Sequence, residues 1–162
     1  VVGFGEIQKI TPFGSVITVT GNFFPNDNGE SQDGEAYPGL LFRPSGIALD
    51  SNGDLMVAGL GLNDVRRIDS AGRISVLAGA AFVSVALDGL GKNAFFRNLS
   101  DIASDGVGNF YISDRNAIRR IAADGTVSKL AGEYYGPPGW VDGVGAAARF
   151  FSPKGIAVGP DG

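Results

Sequence analysis

Ile118-Arg119-Arg120-Ile121-Ala122-Ala123-Asp124-Gly125-Thr126-Val127-Ser128-Lys129-Leu130-Ala131-Gly132 occurs three times in related form. It stands earlier as Val65-Arg66-Arg67-Ile68-Asp69-Ser70-Ala71-Gly72-Arg73-Ile74-Ser75-Val76-Leu77-Ala78-Gly79. Its first copy is Ile7-Gln8-Lys9-Ile10-Thr11-Pro12-Phe13-Gly14-Ser15-Val16-Ile17-Thr18-Val19-Thr20-Gly21. In each copy two β-forming stretches flank a turn that carries glycine, which is the pattern of a hairpin. A second block keeps step with the first: Phe42 to Asp50, Phe96 to Asp105 and Phe151 to Val158, in which Ile47, Ile102 and Ile156 fall 55 and 54 residues apart. Asp33-Gly34, Asp88-Gly89 and Asp142-Gly143 recur at the same spacings. The chain therefore repeats with a period of about 54 residues.

The best-preserved period holds four short strands, Gly46 to Leu49, Leu55 to Ala58, Asp64 to Ile68 and Arg73 to Leu77. Turns that supply Gly or Asn for positive φ separate them. The unit reads as a four-stranded antiparallel meander, followed by a connector of roughly 25 residues that holds the Asp-Gly signature. Four strands at this period make the form of a β-propeller blade. Ala48, Ala103 and Ala157 in the first strand suit an innermost strand crowded around an axis. The expected fold is all-β, with three four-stranded blades and copies at about 1–41, 42–95 and 96–150, and with 151–162 opening a further blade. Propellers have roughly four to eight blades, so three of them are about half of a six-bladed ring. A turn-to-strand count across Gly162 and Val1 is shorter than the same count inside the chain. The remaining blades are accordingly expected from a longer chain in preference to self-association.

Pro-x-Gly-Ile-Ala at Pro44 and Pro153, Ile118-Arg119-Arg120-Ile121, and Gly125-Thr126-Val127-Ser128-Lys129-Leu130-Ala131-Gly132 resemble the NHL-repeat propellers. Asp142-Gly143-Val144-Gly145-Ala146-Ala147-Ala148-Arg149-Phe150 is similar to the connector of their long-repeat form. The resemblance implies a fold over nearly the whole chain. For function it implies only a range, from interaction scaffolds and RNA-binding modules to relatives of six-bladed hydrolases. Gly59 stands where the family aspartate appears at Asp114, so that turn is expected to lack its side-chain partner. Asp101 replaces the glycine of Gly46 and Gly155.

Composition removes much chemistry. The 162 residues include no cysteine and no histidine, and the formal charge is −4. Thiol nucleophiles, Ser-His triads and imidazole metal sites are excluded. The acidic balance argues against nucleic acid, and no apolar stretch reaches the roughly 20 residues that span a bilayer. Proteins, glycans, cations or small ligands remain as partners. The absence of paired acids points to a non-catalytic binding or structural scaffold, because Asp101 alone cannot serve as both acid and base.

Tyr134, Tyr135 and Trp140 place three aromatics in one connector and are the candidate binding residues, for a protein surface or a sugar ring. Packing of that loop onto a neighbouring blade is the alternative. Asp27, Glu30 and Asp33 form an oxygen-rich cluster that would suit calcium. Asp33, Asp88 and Asp142 could present a carboxylate ring, although each is expected to cap its own turn. The repeated pairs Arg66-Arg67 and Arg119-Arg120 are expected on a solvated outer face. Gly143 to Ala148 matches a dinucleotide fingerprint, but its recurrence at Asp88 to Gly91 favours a structural connector. Asn98-Leu99-Ser100 is an N-glycosylation sequon and points to an extracellular setting.

Overall fold

Aspartate side chains shape the hairpins. Asp50 Oδ1 accepts the N–H groups of Asn52 and Asp54 at 2.7 and 2.9 Å, and Asp69 Oδ1 accepts those of Ala71 and Arg73, both at 2.9 Å. Asp105 repeats this with Val107 and Asn109, and Asp124 with Thr126. Each is an Asx-type turn closed by a glycine at positive φ, such as Gly53 at 84° and Gly72 at 81°. The computed structural model describes residues 2, 6–21, 43–59, 61–81, 83 and 85–160.

These turns connect eleven strands in the described residues. β1 (Glu6–Ile10) and β2 (Val16–Gly21) form a two-stranded sheet, and β3 (Pro44–Leu49), β4 (Leu55–Gly59), β5 (Asp64–Ile68) and β6 (Ile74–Gly79) form a four-stranded meander. β8 (Leu99–Ser104), β9 (Phe110–Asp114), β10 (Ala117–Ile121) and β11 (Thr126–Gly132) repeat that meander. β7 (Gly89–Leu90) adds a fifth strand outside β11. All pairings are antiparallel. The fold is all-β, and among the described residues the sheets do not close into a ring. β1 and β2 occupy the repeat positions of β5 and β6, and the same register shift falls after Ile7, Val65 and Ile118.

The sheets stack face to face. Met56, Ala58 and Val65 of one sheet are buried against Ile102, Phe110 and Ile112 of the next. Burying a side chain of this size contributes about 1.5–3 kcal/mol. A smaller cluster joins Ile7 to Val57, Ile68 and Ile74. The first strands of the two meanders approach closely, since a methyl group at Gly46 would stand 2.7 Å from Cα of Asp101 and 2.8 Å from N of Ile102.

The connector also repeats as structure. Leu87 bridges Phe95 and Val141 bridges Arg149, and each bridge encloses one 3-10 turn, Gly91–Asn93 or Gly145–Ala147. Ala94 and Phe96 are fully buried. Gly143 to Ala148 is thus a connector with a single 3-10 turn and is followed by no α-helix in the described residues, as its recurrence implied.

Candidate functional site

Strand alternation sorts the paired arginines. Arg67 and Arg120 point outward, the first to Asp54 and the second to Asn109 Oδ1 at 2.8 Å. Arg66 and Arg119 point inward, and Arg119 is 0% exposed. This corrects the expectation of a solvated outer face for the inward member of each pair. Period-two alternation permits only one of two adjacent residues to face water.

Arg119 organises the third unit. Its Nη1 donates to Phe95 O at 2.5 Å and to Asp114 Oδ2 at 3.3 Å, and its Nη2 donates to Leu87 O and Asp88 Oδ1, both at 2.8 Å. The guanidinium carbon lies 4.7 Å from the Phe96 ring centre and 5.0 Å from that of Tyr134. Asp114 also accepts the N–H groups of Arg97 and Asn98. One buried cation therefore ties connector, strand and loop together.

In the second unit the aspartate has changed strands. Asp64 lies directly opposite Gly59, whereas in the third unit Ala117 lies directly opposite Asp114. Asp64 Oδ2 accepts from Arg66 Nε at 2.9 Å, so a carboxylate faces the inward arginine in both units. The carboxylate that Gly59 cannot offer to the inward arginine is supplied across the same rung.

Asp88 does not cap its own turn as expected. It accepts from Arg119, from the N–H of Lys129 at 3.0 Å, and from the Tyr134 hydroxyl at 2.5 Å. Partial burial alone would raise its pKa, but the Tyr134 and Lys129 hydrogen bonds and the Arg119 charge outweigh that and hold it below the usual carboxylate range. Burial and donation to Asp88 push the Tyr134 hydroxyl well above the ordinary tyrosine range. Asp142, one repeat later, is exposed.

The three candidate aromatics divide. Tyr134 packs under Arg119 and Lys129. Tyr135 is 62% exposed, its hydroxyl accepts the N–H of Ala86 at 2.9 Å, and Arg97 stacks on its ring at 5.0 Å. Trp140 is 83% exposed and stands 5.2 Å from the Phe151 ring, with Val141 and Val144 exposed nearby. The loop thus folds its tyrosines onto β10, β11 and the connector that enters the same sheet, and leaves an aromatic shelf at Trp140 and Phe151.

Asp101 is used by the main chain. Its Oδ2 accepts the N–H of Ile156 at 3.1 Å, and its Oδ1 accepts that of Ile102 at 2.9 Å. Asn98 directly precedes β8 and is half-buried, with Leu99 of the sequon fully buried. Asp27, Glu30 and Asp33, the calcium candidates, lie outside the described residues, and within those residues no group of three or more acids is placed to hold a metal ion. No described helix is long and apolar enough to cross a membrane.

No family model matches the chain. No curated protein matches it. Among solved structures it is similar to a protein of unknown function from Bacteroides thetaiotaomicron, at 23% identity and a TM-score of 0.71 over 91% of this chain and 35% of that one. It is also similar to an auxiliary nutrient binding protein from the same organism, at 18% identity and a TM-score of 0.67 over 98% of this chain and 39% of that one. The chain thus spans little more than a third of either structure, and the likeness is one of fold.

Proposed function

We propose that the chain is a segment of an NHL-type β-propeller, part of a six-bladed ring, and that it acts as a non-catalytic binding scaffold in an extracellular setting. The stacked, repeating four-stranded meanders support the architecture. The similarity to an auxiliary nutrient binding protein is in keeping with a binding role.

The observation that carries the reading is the shelf. Trp140 is exposed and lies tilted by 50° against Phe151, while Asp64, Asp88, Asp101 and Asp114 all accept hydrogen bonds from the chain's own groups. Two exposed aromatic rings, one carrying an indole N–H donor, suit a sugar ring or an aromatic-rich protein surface.

The test is retention of the purified chain on a glycan array and a peptide array, beside Trp140→Ala. Retention that Trp140→Ala abolishes supports the shelf, and retention that it leaves unchanged removes it. Ester and lactone substrates, assayed with and without calcium, are expected to survive, and turnover would remove the scaffold reading.

A further inference from the structure

The two ends of the stacked sheets differ in charge and in backbone. One end carries the turns shaped by Asp50, Asp69, Asp105 and Asp124, and its left-handed residues are glycines such as Gly53 and Gly72. The four described residues other than glycine with positive φ all lie at the opposite end. Arg43 at 51° precedes β3, Asn63 at 54° precedes β5, Arg115 at 57° joins β9 to β10, and Ser152 at 46° opens the next repeat. A side chain in this conformation costs more than glycine would. The repeat does not demand arginine there, since Asn98 and Ser152 stand at the position of Arg43.

Arg43 is exposed and Arg115 half-buried, and neither guanidinium has a hydrogen-bond or ion-pair partner among the described residues. Lys154, exposed at the same end, has none there either. The acids of the second and third sheets at this end are already engaged. Asp64 and Asp114 face the inward arginines, Glu133 pairs with Lys129 at 2.9 Å, and Asp101 accepts two main-chain N–H groups. The Arg115 turn is also fixed to its surroundings. The Arg115 N–H donates to Asn98 O at 3.0 Å, and Asn116 Oδ1 accepts the N–H of Ser152 at 3.2 Å. Those bonds bring Arg115 to the segment that holds Phe151 and Lys154.

We propose, on the binding reading above, that the ligand of this end is an anionic sugar, an oligomer of uronic acid. One ring lies on Trp140 and Phe151, and its carboxylate meets Arg115. Arg43, one unit away at the start of β3, meets a further carboxylate of the same oligomer. A guanidinium takes a carboxylate through two parallel N–H bonds. The turn aspartates at the far end steer the ligand to the cationic one. The overall charge of −4 opposes a phosphate polymer.

Calorimetric titration of the full chain with oligogalacturonate and with its methyl ester tests the assignment, because the ester keeps the sugar and removes the charge. The acid is expected to bind at least about tenfold tighter than the ester, by a margin that shrinks as salt rises to about 0.15 M. Arg115→Gly and Arg43→Gly should each weaken binding of the acid by about tenfold while the melting temperature holds or rises, since glycine adopts positive φ freely. No binding of the acid, glycine variants that bind as wild type does, or a melting temperature that falls in both overturns the proposal. Tighter binding of poly-glutamate or of a single-stranded oligonucleotide overturns the choice of a sugar. Acid and ester bound alike through Trp140 overturn this proposal and leave the shelf reading standing. Acid binding that needs Arg115 but not Trp140 supports the cationic site and removes the shelf.

Discussion

The Tyr134 hydroxyl donates to the Asp88 carboxylate at 2.5 Å across 46 positions of sequence, joining the connector that enters the third sheet to the loop that leaves it. Because the folded-state pKa of Asp88 is lowered, its contribution to stability is fully present above the ordinary carboxylate range and is lost as pH falls through the lowered value. The melting-temperature gap between wild type and Asp88→Asn is expected to be constant above about pH 4 and to close below it. Tyr134→Phe should cost about 1 kcal/mol at neutral pH. A gap that persists at low pH would show that Asp88 acts through shape and not charge.

Arg119 carries a heavier burden than its neighbour. Arg119→Met leaves Asp114, itself 0% exposed, without its cation, and should cost about 3–5 kcal/mol in urea unfolding. Arg120→Ala, on the outward side of the same strand, should cost about 1 kcal/mol or less. Equal losses at the two positions would contradict the inward–outward division.

The exchange of Asp64 for Asp114 across one rung can be tested directly. Asp64→Ala removes the carboxylate that faces Arg66, for a loss of about 3 kcal/mol. Adding Gly59→Asp to that variant rebuilds the arrangement of the third unit and is expected to recover most of the loss. If the double variant is as unstable as the single one, the two carboxylate positions are not equivalent.

Gly46 is required by main-chain proximity. Gly46→Ala should cost about 1–3 kcal/mol. Asp101→Gly should not rescue it, because Cα of Asp101 and N of Ile102 stay where they are. Rescue in calorimetry would mean that the Asp101 carboxylate alone sets the contact.

The strand pattern could be read from the chain because its determinants are short-range. The predicted strands Leu55 to Ala58 and Asp64 to Ile68 differ from β4 and β5 by at most one residue. The turns between strands are closed by aspartates acting two to four residues away. The site was less legible. Tyr134, Tyr135 and Trp140 look alike in sequence, yet two of the three are claimed by Arg119, Asp88, Ala86 and Arg97. The alternation rule could have singled out Arg66 and Arg119 as inward-facing, but charge suggested the opposite.

The sequence by itself determined the period, the four-strand unit and the hairpin turns, since a repeat specifies the same local interactions in each copy. Only the tertiary structure decided which arginine is buried, that Asp64 replaces Asp114 across a rung, and that Trp140 stays exposed while Tyr134 does not. Those outcomes depend on contacts such as Arg119 with Phe95 and Asp101 with Ile156, 24 and 55 positions apart, which join segments that the local sequence pattern leaves unconnected.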